Sequence, residues 1–133
     1  MTQMVYTALM MTEVEAERLS GPAVRAFENI ADTWGLRQNE RRLLLGDIPS
    51  TTYARMRKAP GRTTLSKDTL ERISHVLGIY KALHVLIPSG EYADRWIKEP
   101  NTAFGGASAL ERMLEGFTQL VGVRRYLDGI RGW

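Results

Sequence analysis

Apolar residues in this chain recur at helical spacing and nowhere alternate at strand spacing over a useful length. From Pro22 onward, Val24, Phe27, Ile30, Ala31 and Trp34 return every three or four residues, and Gly35 follows as a C-terminal stop. Leu70, Ile73, Val76 and Leu77 repeat the pattern behind Ser66, with Gly78 expected to interrupt or end that helix. Residues 79–87, IYKALHVLI, are the most apolar stretch, which makes them either the most buried segment or the seam of a homodimer. The period predicts an all-α protein.

Glycine, proline and capping residues divide the rest. Thr12 and Glu15 have capping-box spacing and predict a short helix over 13–19, which Ser20, Gly21 and Pro22 stop. Residues 1–11 read as a loose arm. Leu36, Leu43, Leu44 and Leu45 mark a core-facing helix ending at Gly46, and Ser50 suits the N-cap of another running to about Lys58. Beyond Pro88-Ser89-Gly90 come a short helix over 91–98, a bend at Phe104-Gly105-Gly106 anchored by its aromatic, a capping box at Ser108 and Glu111, and a last helix from Phe117 to about Leu127. The predicted organisation is an N-terminal extension over 1–20, a helix-turn-helix and dimerisation region over 21–88, and a small helical domain over 89–133.

Composition excludes several kinds of chemistry. Without a cysteine among its 133 residues, the chain has no disulfide, thiolate nucleophile or cysteine-bearing zinc site. His75 and His84 lie too far apart to share a helical face as metal ligands do, and Glu111 and Glu115 have Arg112 beside them. Nucleotide-binding loops and hydrolase elbows are missing, so the expectation is a protein that is not an enzyme and takes no cofactor or metal. With no apolar run near ~20 residues and no basic leader, a cytoplasmic protein that does not engage a membrane is expected.

Charge is sorted along the chain. Residues 37–72 carry nine arginines and lysines against four acids, whereas residues 1–36 carry two against five. The basic block holds two short helices joined by a tight glycine-containing turn, the helix-turn-helix pattern. Tyr53 and Met56 occupy one face of the second helix, with Thr51, Arg55, Lys58 and part of Arg57 on the other. Ser50, Thr51, Arg55, Arg57 and Lys58 are the candidate groove-facing residues, and Arg62 in the following loop is a candidate phosphate contact. A departure from the pattern is Arg41 or Arg42 where the first helix usually has a small residue. The C-terminal VRRYLDGIRGW has two readings: a helix docked on the core through Val123, Tyr126, Leu127 and Ile130, or a recognition tail rich in the residue types that dominate binding hot spots.

From Leu36 onward the chain resembles the Xre/MbcA/ParS antitoxin family. The likeness is carried by LLLGDIPSTTYARMRK (43–58), LSKDTLERISHVLGIYKALHVLIP (65–88), ADRWIKEPNTAFGGASALERMLEG (93–116) and VRRYLDGIRG (123–132). Met56, Ala107 and a longer N-terminal extension depart from the family's pattern. The resemblance implies a bacterial antitoxin whose partner is a RES-domain toxin that depletes NAD. It further implies that Arg124, Arg125, Tyr126, Asp128, Gly129, Ile130, Arg131, Gly132 and Trp133 enter the toxin's cleft, and that the basic block binds operator DNA to repress the antitoxin's own operon. The competing reading is a solitary DNA-binding regulator without a toxin.

Overall fold

In the computed structural model, residues 12–132 are described, and the predicted arm and Trp133 lie outside them. Among the described residues seven α-helices follow one another: α1 Glu13–Thr33, α2 Gln38–Leu44, α3 Ser50–Lys58, α4 Lys67–Leu86, α5 Gly90–Arg95, α6 Ala109–Met113 and α7 Phe117–Arg131. Short 3-10 turns at Trp96–Lys98 and Thr102–Phe104 connect α5 to α6, so the helix expected over 91–98 tightens in its last turn. There is no strand among the described residues beyond an isolated bridge between Pro100 and Ser108, and the fold is all-α.

α1 is longer than its sequence suggests. Its capping box at Thr12 and Glu15 is as expected, but the helix runs through Ser20-Gly21-Pro22 without a break. Proline lacks an N–H and so removes one helical hydrogen bond, a loss that tertiary contacts on either side outweigh here. Ala16, Ala23, Val24, Phe27 and Ile30 are all buried. Between them, the buried Ser20 hydroxyl donates to Ala16 O at 2.6 Å and accepts the Leu65 N–H at 2.9 Å, which fastens the loop after α3 to this helix.

α2 and α3 are joined by Gly46 and Asp47, both with left-handed φ (109° and 57°). Arg42 braces the turn by donating from Nε to Ile48 O at 2.8 Å. Two expectations need correction. Leu43 is 37% exposed, because three consecutive leucines cannot share one helical face. Ser50 is the first helical residue, Pro49 occupies the cap position, and no side chain caps the helix.

α4 is the central element, packing α1 and α7. The Ser66 hydroxyl accepts the Thr69 N–H at 3.1 Å to start it, and Gly78 neither interrupts nor ends it. The reason lies across the interface: a Cβ on Gly78 would stand 2.5 Å from Arg124 Cζ and 2.7 Å from Nε, so α7's buried guanidinium occupies the space a side chain would take. The proposed seam is also largely consumed within the chain. Leu70, Ile73, Val76, Ile79, Ala82 and Leu83 are buried in one copy, Leu86 and Ile87 pack against the core, and only Val85 of the terminal apolar group is open at 60% exposure. His84 Nε2 meets Asp94 Oδ1 at 2.7 Å and ties α4 to α5.

Candidate DNA-binding face and partner-binding end

The groove-facing candidates stand on α3 because its opposite face is spoken for. Tyr53 and Met56 are 0% and 3% exposed, and their burial turns Thr51, Arg55 and Lys58 to solvent, as the helical period requires. Ser50 is exposed at the first turn, and Arg62 is exposed in the loop that follows. Arg57 stands apart from the others. Its guanidinium lies 5.6 Å from the centre of the Tyr53 ring, with Nε 3.9 Å from Glu28 Oε1, so it flanks α3 instead of crowning it.

A polar network that the sequence did not announce sets the position of α3. Glu28 of α1 accepts the Tyr53 hydroxyl at 2.5 Å and Arg41 Nη1 at 2.7 Å, and Asp32 takes the same Arg41 nitrogen at 2.9 Å. Arg41 Nε also donates to Leu36 O at 3.0 Å. Burial and the bonded Glu28 carboxylate push the Tyr53 hydroxyl up to about 12. For Arg41, burial works against the charge, but bonds to Tyr53, Asp32 and Glu28 outweigh it and raise its pKa. The arginine that departs from the usual helix-turn-helix pattern is therefore the node joining α1, α2 and α3. Glu28 and Asp32, one turn apart on α1, were the only sequence signal of it.

At the other end, α6 and α7 build the C-terminal unit. The Ser108–Glu111 capping box forms as predicted, and Gly105 and Gly106 adopt φ of 66° and 90° where the bend was expected. Arg112 holds the bend by donating to Phe104 O at 3.0 Å and pairs with Glu115 at 2.7 Å. Phe104, Trp96 and Tyr126 form one aromatic cluster, with centroids 5.3 to 6.4 Å apart and Tyr126 37% exposed.

α7 runs four residues past the predicted Leu127, to Arg131, where Gly132 in a left-handed conformation ends it. Its candidate partner residues divide by face. Arg125, Tyr126, Gly129, Ile130 and Gly132 are exposed, Ile130 by 55%. Asp128 and Arg131 are half-buried, and Trp133 lies outside the described residues.

Arg124 does not belong with this group. It is 5% exposed, reaching Ser74 O and His75 Nδ1 at 3.4 Å each and Asp128 Oδ2 at 3.5 Å. Its position on α7 beside Val123 and Leu127 points it into the α4 interface, so it anchors the helix instead of meeting a partner. Burial lowers the pKa of its guanidinium. Burial first, and then Arg124 and Arg125, hold His75 down to about 4. Neither histidine sits in a metal cluster: no group of three or more potential ligands occurs among the described residues.

Comparison with known proteins finds two matching families along the chain. Residues 13–78 match the antitoxin Xre-like helix-turn-helix domain, and residues 82–132 match the antitoxin Xre/MbcA/ParS C-terminal toxin-binding domain. The two matches meet within α4, the helix both units share as their core wall. The chain is also 46% identical over 110 residues to the uncharacterized protein y4oB of Sinorhizobium fredii (strain NBRC 101917 / NGR234), covering 82% of this chain and 84% of that protein. Both matched domains are binding modules and not enzymes. With a helix-turn-helix unit and a toxin-binding unit in that order, the chain belongs to the Xre/MbcA/ParS family of toxin–antitoxin antitoxins.

Proposed function

We propose that this antitoxin neutralises a RES-domain, NAD-degrading toxin by seating the outer face and end of α7 in the toxin's cleft, and that it represses its own operon through α3. The observation that carries the first part is the open end of α7 in the toxin-binding unit, where Ile130 is 55% exposed and Tyr126 adds a partly open aromatic. Apolar and aromatic groups of this kind supply most of the binding energy in protein interfaces. Arg125, Tyr126, Gly129, Ile130, Arg131, Gly132 and Trp133 form the contact segment, with Asp128 at its edge, and Arg124 holds the segment in place from inside. Arg125 and Arg131 suit acidic groups around a nucleotide cleft, and the Trp133 ring suits the place of the nucleotide.

For DNA, Ser50, Thr51, Arg55 and Lys58 read the major groove, with Arg57 at the flank and Arg62 on phosphate. Reading two half-sites calls for a homodimer, for which Val85, with the edges of Leu86 on α4 and of Ile87 just past its end, offers open apolar contacts.

The test is a truncation lacking residues 129–133, co-expressed with the product of the adjacent open reading frame. NAD loss and growth arrest should return while duplex binding persists. Full neutralisation by the truncated chain at saturating concentration would refute the cleft-seating reading. Failure of the intact chain to co-purify with the neighbouring product would favour the solitary regulator.

A further inference from the structure

We infer that Arg25 on α1 is a DNA-phosphate contact, forming with Arg62 a two-point clamp at the C-terminal end of α3; this rests on the reading of α3 as the DNA-facing helix. A Cβ placed on Gly21 would lie 3.3 Å from Gly61 Cα and 3.4 and 3.5 Å from the two terminal nitrogens of Arg25. Three things therefore converge on one point of α1: the helix backbone, the loop that follows α3 and the Arg25 guanidinium. Gly61 makes the approach with φ of +91°, a conformation that other residues rarely adopt, and Arg62 is the next residue along.

The helical register places the rest. Gly21, Arg25, Glu28 and Asp32 follow at i, i+4, i+7 and i+11, one stripe along α1. Gly21 meets Gly61 at one end of the stripe, and Glu28 meets Tyr53 and Arg57 further along. Arg25 lies between those contacts, beside the end of α3 that carries Lys58.

The chemistry there is one-sided. Arg25, Lys58 and Arg62 are exposed, and none of their side chains has an ion pair or hydrogen bond among the described residues. Glu28 on the same stripe is already engaged by Arg41, Tyr53 and Arg57. Glu17, one turn before Gly21, is exposed and forms no ion pair among the described residues. A guanidinium laid over a glycine, with cations and no bonded carboxylate around it, is arranged to receive an anion from outside. A phosphodiester backbone passing the end of α3 supplies such anions at regular spacing. Contacts of this kind set orientation on the duplex without reading sequence.

The test is a salt titration of binding by the full chain. The probes are a duplex from the region upstream of its own gene and a random-sequence duplex of equal length. Arg25→Ala should lower the slope of log affinity against log salt by about one in magnitude, equally on both duplexes, while Arg25→Lys keeps the wild-type slope. Combined with Arg62→Ala, the fall should be about two. Thermal melting should be unchanged, since the Arg25 side chain makes no ion pair or hydrogen bond among the described residues. If the wild type binds and Arg25→Ala keeps the full slope, the Arg25 assignment is wrong while the reading of α3 stands. Binding of neither duplex by the wild type would overturn both.

Discussion

His75 should make the folded chain sensitive to mild acid. Its ring is 7% exposed, edge-on to Phe117 at 5.6 Å between centroids, with Arg124 of α7 3.4 Å from Nδ1 and Glu71 of its own helix 4.0 Å from Nε2. Burial is the main reason its pKa falls to about 4, and the positive charges of Arg124 and Arg125 add to it. The sign follows from linkage. Between the ordinary value of 6.5 and about 4, the unfolded chain binds the proton and the folded chain does not, so stability falls as pH falls through that window. From pH 7 to pH 5 the loss from this one group is about 2 kcal/mol. Urea unfolding at stepped pH measures it, with His75→Gln as the partner variant. Carboxylates that titrate in the same range, including Glu71, which burial raises, are common to both proteins and largely cancel in the difference. The variant should lose about 2 kcal/mol less than the wild type between those pH values. Parallel curves would show that His75 accepts its proton in the folded state, and that the contact with Arg124 imposes nothing on it.

Gly78→Val should cost about 1 to 3 kcal/mol by urea unfolding, because the new side chain must displace the buried Arg124 guanidinium from its contacts with Ser74, His75 and Asp128. Wild-type stability in this variant would mean Arg124 swings aside freely. Glu28→Gln should cost about 1 to 3 kcal/mol, since it leaves Arg41 and Arg57 with a weaker acceptor, and it should also weaken duplex binding by loosening α3. Unfolding together with duplex affinity checks both parts, and loss of stability with full affinity would show that the network does not position α3. Arg55→Ala should lower discrimination between operator and random duplex by ~1 to 3 kcal/mol. Arg57→Ala should lower it less, because Arg57 leans on Tyr53 and Glu28; the reverse order in a competition assay would put Arg57 in the groove.

Local chemistry made much of the fold legible without any structure. Helical period, the boxes at Thr12–Glu15 and Ser108–Glu111, the Ser66 cap and the glycines at 35, 46, 105 and 106 act over three or four residues, so the sequence alone determined an all-α chain and most of its helix ends. The outward face of α3 followed from Tyr53 and Met56 for the same reason. Where the reading failed, the deciding partner was distant in the chain. Pro22 reads in sequence as a helix break because its lost hydrogen bond is local, while the Leu65 loop that Ser20 fastens is forty-five residues away. Gly78 reads in sequence as a residue that interrupts or ends its helix, because the guanidinium that fills its place arrives from α7. Arg124 looked like part of an exposed basic tail, and only the packing of α7 on α4 turned it inward while leaving Arg125 outside. Likewise, the apolar run of α4 fits a dimer seam or a monomer core equally well as a pattern. Which surface covers it depends on where α1 and α7 come to rest, and that is a property of the assembled chain.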